Sequence, residues 1–314
     1  MKLGEPLFLK PLFFQRPWGG NRLKKLFAKR VPAGRVIGES WELANRPKVQ
    51  TTVGGGRFDG WTIRRLMEMA PRALLGPERA ARRPSSFPLL VKYIDAGQSL
   101  SVQVHPDDEA CRRLGLRDRG KAECWIVVHS EPGSQIVRGL NHGVTLPDFE
   151  RALHNDRIEE VLHTVPVQAG DVIAIPPGMV HAIGAGLVLA EVQQNSDLTF
   201  RVFDYHRLDL EGKPRRLHLR ESLETIHFGG PAPGFFGEDV SRDRIAPVPR
   251  PDGPSACVLS YLHGRYFDFE VVHIQKGGEW RPREWMAAPT VIMCLQGHGR
   301  WRDRPLAAGQ TVLV

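Results

Sequence analysis

Two histidines, a glutamine and a glutamate stand at spacings that suit a metal site. Residues 170–181 read GDVIAIPPGMVH. The glycine turns the chain, a five-residue strand follows, Pro176-Pro177-Gly178 makes a tight turn, and His181 opens the next strand. Upstream, Gly97 is followed after five residues by Gln103-Val104-His105. Alternation through Leu100, Val102 and Val104 puts Ser101, Gln103 and His105 together on the opposite face. Glu123 follows after the insert PDDEACRRLGLRDRGKA. Two imidazoles with oxygen donors suit a divalent metal such as zinc and leave room for water or substrate. The competing reading is a set of unrelated polar residues in a β protein, and the 12 histidines of the chain give it weight. Two ordered spacings favour the metal.

Strands must carry these groups. With 32 glycines and 25 prolines the sequence is punctuated as many short strands and turns require. Residues 87–105 read as strand, turn at Ala96-Gly97, and strand. The face bearing Gln103 meets solvent in an open sheet and the lumen in a small barrel. Between 165 and 205, VPVQAGDVIAIPP, LVLAEVQQ and LTFRVFDY read as further strands. Residues 62–82 predict short helical pieces broken at Pro71 and Pro77. The spacing predicts a longer helix over 145–164, capped by Thr145 with Asp148, with Pro147 in its first turn and a stripe of Phe149, Leu153, Ile158 and Leu162. A Pro/Gly-rich stretch, 229–254, reads as a linker between a catalytic unit, 1–228, and a β-rich unit, 255–314. The latter carries strands near FDFEVVHI, TVIMCLQG and QTVLV, the last short or truncated at Val314.

The pattern at 170–181 resembles the second motif of the cupins, G(x5)PxG(x2)H, with Ala185 where an asparagine often follows. The pattern at Gly97–His105 resembles their first motif, G(x5)HxH, with Gln103 in place of its first histidine. The expected fold is therefore mainly β, a cupin jelly-roll barrel with short helical inserts and a smaller C-terminal β-rich part. Longer stretches resemble the type I phosphomannose isomerase family, particularly its short bacterial branch. They are RPWGGNRL (16–23), IGESWELANRP (37–47), FPLLVKYIDAGQSLSVQVHPDD (87–108), GKAECWIVV (120–128) and IPPGMVHAIGAGLVLAEVQQNSDLTFRVFDYHR (175–207). The resemblance implies one zinc per chain, held by Gln103, His105, Glu123 and His181. It implies a substrate site of Trp18, Glu39 and Lys92, with Lys121, Glu191 and Arg201 serving catalysis. The implied reaction interconverts mannose 6-phosphate and fructose 6-phosphate through a cis-enediol. Ile183 stands where the long branch carries an aromatic residue, and most of that branch's helical insert is missing.

Each residue also has a plainer reading. Lys121 stands two residues before Glu123, within reach of substrate oxygens, but can be a solvated loop lysine. Arg201 shares a strand face with Thr199 and Phe203, and in a lumen it needs an anionic partner. Lys92, in an apolar strand, can be half of a structural ion pair. Trp18 can be packing alone, packing is preferred for Trp41, and Glu39 reads either way. The QQNSD turn, 193–197, reads as a hydrogen-bonded loop at the mouth of the barrel.

Composition bounds the alternatives. The 43 basic residues exceed 35 acidic ones, a net charge of +8, but dispersed and without a nucleic-acid motif. Such a surface attracts a small phosphate ester equally well. No apolar run reaches membrane-span length, the N-terminus lacks the form of a signal peptide, and four cysteines without CxxC spacing fit a reducing cytoplasm. Two other functions stay open: a cupin oxygenase using iron, which usually has more histidine ligands, and a non-catalytic sugar-phosphate-binding cupin, against which Lys121, Glu191 and Arg201 argue.

Overall fold

A computed structural model of the chain describes residues 5–27, 29–82, 84, 86–230, 243–281 and 289–314. Much of the stretch read as a linker, 231–242, lies outside the described residues.

Two antiparallel sheets face each other. One has five strands in the order Leu162–Pro166, Gln135–Leu140, His181–Ile183, Val102–Val104 and Phe200–Phe203. The other has six, in the order Val172–Ile175, Glu123–Ser130, Leu187–Gln194, Leu89–Ala96, Leu12–Gly20 and Ile37–Leu43, the last also pairing with Leu89–Ala96. Between them lies an apolar cluster that includes Ile94, Trp125, Ile173 and Leu189 from the larger sheet and Ile136, Val165 and Ile183 from the smaller. This is the mainly β fold that the cupin resemblance implies, built as two facing sheets with helices as inserts.

Both sheets are also covered on the outside. Val102, Val104, Ala182 and Phe200 pack outward against Phe149 and Ala152 of the helix Leu146–His154. Tyr93, Cys124, Ile126 and Ala190 of the larger sheet meet Tyr261, Leu262, Phe267 and Phe269 of the C-terminal part. Burial on both faces explains why LLVKYIDA reads as a nearly continuous apolar run rather than an alternating one.

Residues 62–82 form three short helices, Ile63–Met69, Pro71–Leu75 and Pro77–Ala81, each proline sitting at a helix start. The helix predicted over 145–164 is shorter than its pattern. It keeps the Thr145–Asp148 capping box but ends at His154, and Asp156 takes a φ of 56°. A 3₁₀ turn, Ile158–Val161, follows, and Leu162 already starts a strand. The apolar stripe spans three elements because the helix and the 3₁₀ turn pack on the outer face of the smaller sheet, and Leu162, on that sheet's edge strand, joins the same buried cluster.

Val248–Pro251, within the stretch read as a linker, is a strand paired with Ala256–His263, which pairs in turn with Asp268–Ile274. Thr311–Leu313 lies between Val291–Met293 and Leu7–Lys10, so the two ends of the described chain share a sheet.

Candidate metal and substrate site

Each facing sheet contributes one row of polar side chains. On the smaller sheet Arg138, His181, Gln103 and Arg201 occupy directly paired positions on four adjacent strands, and directly paired residues share a face. On the larger sheet Trp125, Glu191, Lys92 and Trp41 do the same, with Glu123 paired to Gln193 one step along. His105 lies one residue beyond the Val102–Val104 strand and is buried.

His105, Glu123 and His181 bring potential ligand atoms within 4.8 Å of one another. The two Nε2 atoms stand 3.1 Å apart, and Glu123 Oε1 is 3.4 Å from His105 Nε2. His181 Nδ1 lies 2.9 Å from the Met179 carbonyl, which can only accept. Nδ1 is therefore the protonated nitrogen, and Nε2 turns a bare lone pair toward the group. Burial first, then the Lys121 charge, lowers His105 to about 3, and burial also lowers His181, so both rings are neutral at pH 7. Burial works to raise Glu123, but Lys121, His105 and His181 outweigh it and hold the carboxyl well below its ordinary range. Trp125 Nε1 donates to Glu123 Oε2 at 3.1 Å and orients it. Neutral imidazoles and an ionised carboxylate converging in a buried space make a donor set that fits a divalent cation.

Lys121 stands beside this set, 2.8 Å from Glu123 Oε1 and 3.3 Å from His105 Nε2. It is buried, and its ion pair places it among the candidate ligands rather than on a solvated loop. Lys92 Nζ lies 3.5 Å from Glu191 Oε1 and sits over the Trp41 ring. Burial, then the Glu123 charge, pushes Glu191 up to about 7 against the pull of Lys92 and Lys121. Glu39 accepts from Arg16 Nη2 at 2.9 Å and from Trp41 Nε1 at 2.7 Å. Burial opposes its ionisation, but Lys92 and Arg16 prevail and lower it to about 2. Glu39, Lys92, Glu191, Lys121 and Glu123 thus form one buried succession of alternating charge.

Two nominated residues stand apart from that succession. Trp18 is buried within the apolar cluster between the sheets that also holds Trp125 and Ile94. Arg201 is half-buried two strands from His181 and donates from Nη1 to the Arg216 carbonyl at 2.8 Å. The QQNSD turn is the hydrogen-bonded loop its composition predicts: Gln193 donates to the Gln194 and Ser196 carbonyls, and Asn195 to those of Asn45 and Phe87.

Three participants escape a search for ligand-type residues. Trp125 is foreshadowed by the alternation of ECWIVV, which sets it on the face of Glu123. Arg16 stands two residues before Trp18, but its link to Glu39 depends on strand pairing. The Met179 carbonyl that fixes the His181 tautomer carries no side-chain signature.

The family of type I phosphomannose isomerase catalytic domains matches residues 7–121. The mannose-6-phosphate isomerase ManA of Bacillus subtilis (strain 168) is 41% identical over 222 residues, covering 71% of this chain and 68% of that protein. The mannose-6-phosphate isomerase of Streptococcus mutans is 36% identical over 231 residues, covering 73% and 70%. A crystal structure of the mannose 6-phosphate isomerase from Bacillus subtilis superposes with a TM-score of 0.81 at 26% identity, over 98% of this chain and 93% of that one. A variant of phosphomannose isomerase from Salmonella typhimurium shares the fold at a TM-score of 0.70 and 17% identity, over 98% and 94%. Identity of this extent, over two thirds of a relative's length and with the whole fold shared, places the chain in the type I phosphomannose isomerase family.

Proposed function

We propose that this protein is a zinc-dependent isomerase that interconverts mannose 6-phosphate and fructose 6-phosphate through a cis-enediol intermediate. The observation that carries this reading is the buried convergence of His105, Glu123 and His181 with Lys121 and Glu191 beside them. Relatives named mannose-6-phosphate isomerase support the substrate. The nitrogen and oxygen donors, with Gln103 next to His181, suit one zinc per chain. A zinc ion held there supplies positive charge that polarises the oxygens on sugar carbons 1 and 2.

The chain's own groups do the rest. Lys121, its charge fixed by Glu123, donates hydrogen bonds to those oxygens as negative charge develops on them. Glu191 is buried, and its Oε1 has no hydrogen-bond partner. In this reading it takes the proton from carbon 2 of the open-chain aldose and returns it to carbon 1, its value near 7 supporting that role. Lys92 and Glu39 hold Glu191 and the sugar hydroxyls in place, and Trp18 supports the wall behind them. These residues all belong to the proposed catalytic unit, 1–228. The four free cysteines suit a cytoplasmic protein.

The test is metal analysis together with a coupled assay for fructose 6-phosphate. The expected result is about one zinc per chain and turnover of mannose 6-phosphate, with His181→Ala remaining folded but losing most of the metal and all measurable isomerisation. Full metal content in that variant overturns the ligand set. A zinc-loaded wild-type protein that binds the sugar phosphate without converting it overturns the isomerase.

A further inference from the structure

The insert 106–122 separates His105 from Glu123, and its two ends close on each other. Lys121 N donates to the Pro106 carbonyl at 2.9 Å, and Gly120 N donates to Asp108 Oδ1 at 2.9 Å. The approach needs a glycine, since a Cβ on Gly120 would lie 2.5 Å from the backbone of Asp107 and Asp108. Lys121 thus leaves the neck of the insert with its backbone fixed. Its Nζ then meets Glu123 Oε1 and His105 Nε2.

The second oxygen of Asp108 faces the C-terminal part. Tyr266 Oη donates to Asp108 Oδ2 at 3.0 Å, from 158 positions further along the chain. Burial, then the Asp108 charge, pushes the Tyr266 phenol up to about 12, so it keeps its proton at pH 7. Tyr266 stands in the turn between the strands Ala256–His263 and Asp268–Ile274, where Gly264 N donates to the Phe267 carbonyl at 3.1 Å. Phe267 is buried in the cluster that also holds Ala122 and Cys124, the two chain neighbours of Glu123. The turn is therefore seated behind the Glu123 strand, and Tyr266 reaches from it to the neck. The insert is anchored separately at Asp118, which accepts from Arg46 Nη1 at 3.0 Å. Loss of the Tyr266 bond accordingly frees the neck without releasing the whole loop.

We infer that Tyr266 is a positioning residue for the reaction. Through Asp108 and Gly120 it fixes the backbone from which Lys121 reaches the substrate, so the C-terminal part governs the rate of chemistry from outside the space between the sheets. The inference rests on the reading above, in which Lys121 stabilises charge developing on the sugar oxygens. A contact of that kind is made in the transition state and depends closely on placement. A displaced Lys121 therefore lowers kcat more than it raises KM.

The test compares Tyr266→Phe, Asp108→Asn, Lys121→Met and Tyr266→Phe/Lys121→Met with wild type, all zinc-loaded. Its readouts are thermal melting, zinc content, kcat and KM for mannose 6-phosphate, and amide hydrogen exchange at Gly120 and Lys121. Tyr266→Phe is expected to stay folded with its zinc and to lose roughly tenfold in kcat, with KM within about twofold of wild type. Its Gly120 and Lys121 amides should exchange at least about tenfold faster. The same substitution made in Lys121→Met should cost no further kcat, because its effect passes through the lysine. Asp108→Asn still accepts from Gly120 but offers Tyr266 no charge, and is expected to fall between wild type and Tyr266→Phe. Should Tyr266→Phe fail to fold, Asp108→Asn carries the same comparisons. Wild-type kcat in folded Tyr266→Phe, unchanged exchange at Gly120, or losses that add fully in the double variant overturn the positioning role. If the zinc-loaded wild type does not isomerise, the isomerase reading falls, and exchange at Gly120 decides whether Tyr266 fixes the neck.

Discussion

Glu39 shows how a single buried carboxylate is kept ionised. Arg16, Trp41 and the Lys92 charge offset its burial, and the carboxyl falls from an ordinary 4.5 to about 2. A depressed folded-state value contributes stability in full above the unfolded value and loses it as pH falls toward the folded one. The contribution of Glu39 is therefore complete above about pH 4.5 and disappears between there and about pH 2. Glu39→Gln is expected to be less stable than wild type at pH 7. The two stabilities should converge as pH falls through that window, as followed by urea unfolding at a series of pH values. A constant difference from pH 7 to pH 2 would show that the carboxylate charge is not the source. The residue types at this site were legible in the sequence, because the ligand spacings and the lysine before Glu123 survive as text. The partner of Arg16 was not, since Glu39 lies 23 residues away and meets it only through strand pairing.

At the scale of elements, the glycine that opens the first spacing has a physical task. A Cβ on Gly97 would lie 2.3 Å from the Gly19 carbonyl oxygen, where the turn after Leu89–Ala96 crosses the end of Leu12–Gly20. Backbone occupies that space, so relief requires moving the turn that launches Gln103 and His105. Gly97→Ala is expected to cost about 1–3 kcal/mol by denaturant unfolding and to weaken metal binding. Gly212→Ala serves as the control for adding a methyl group at a glycine with nothing within 4 Å, its own cost arising from a φ of 79°. Wild-type metal affinity in Gly97→Ala would show that the turn absorbs the change without shifting the strand. Strands flanking the spacings could be read because alternation and turn residues bound them. The helix over 145–164 was overread for the opposite reason. A stripe of apolar residues reports which side is buried, and a short helix and a 3₁₀ turn lying on a sheet, followed by that sheet's own edge strand, leave the same trace. The N-terminal strands carry little periodicity because Ile37–Leu43 is buried along its whole length.

At the scale of the whole molecule, a second buried polar cluster joins the chain's two ends, outside the space between the sheets. Lys29 Nζ donates to Glu42 Oε1 at 2.7 Å and to the Gly309 carbonyl at 2.8 Å. Glu42 also accepts from Ser40 Oγ at 2.5 Å and from Thr311 Oγ1 at 3.3 Å. The strand carrying Thr311 is the one that pairs with Leu7–Lys10. Every member is thus partnered, but the lysine and the glutamate have both left water, at a desolvation cost that their attraction only partly offsets. Burial lowers Lys29 and raises Glu42 despite their contact. Removing the lysine alone strands a carboxylate that is 1% exposed, so Lys29→Met is expected to lose about 3–5 kcal/mol at pH 7. Glu42 then has a folded-state value raised further above its unfolded one. Its penalty is absent below the unfolded value and grows as pH rises through the folded one, so the variant should recover stability on acidification relative to wild type. Lys29→Met/Glu42→Leu, which removes both charges, is expected to be more stable at pH 7 than Lys29→Met. Denaturant unfolding of the three proteins at pH 7 and pH 5 reads both effects. A double variant no more stable than the single one would mean that the pair is needed to seat the C-terminal strand, and not merely tolerated there.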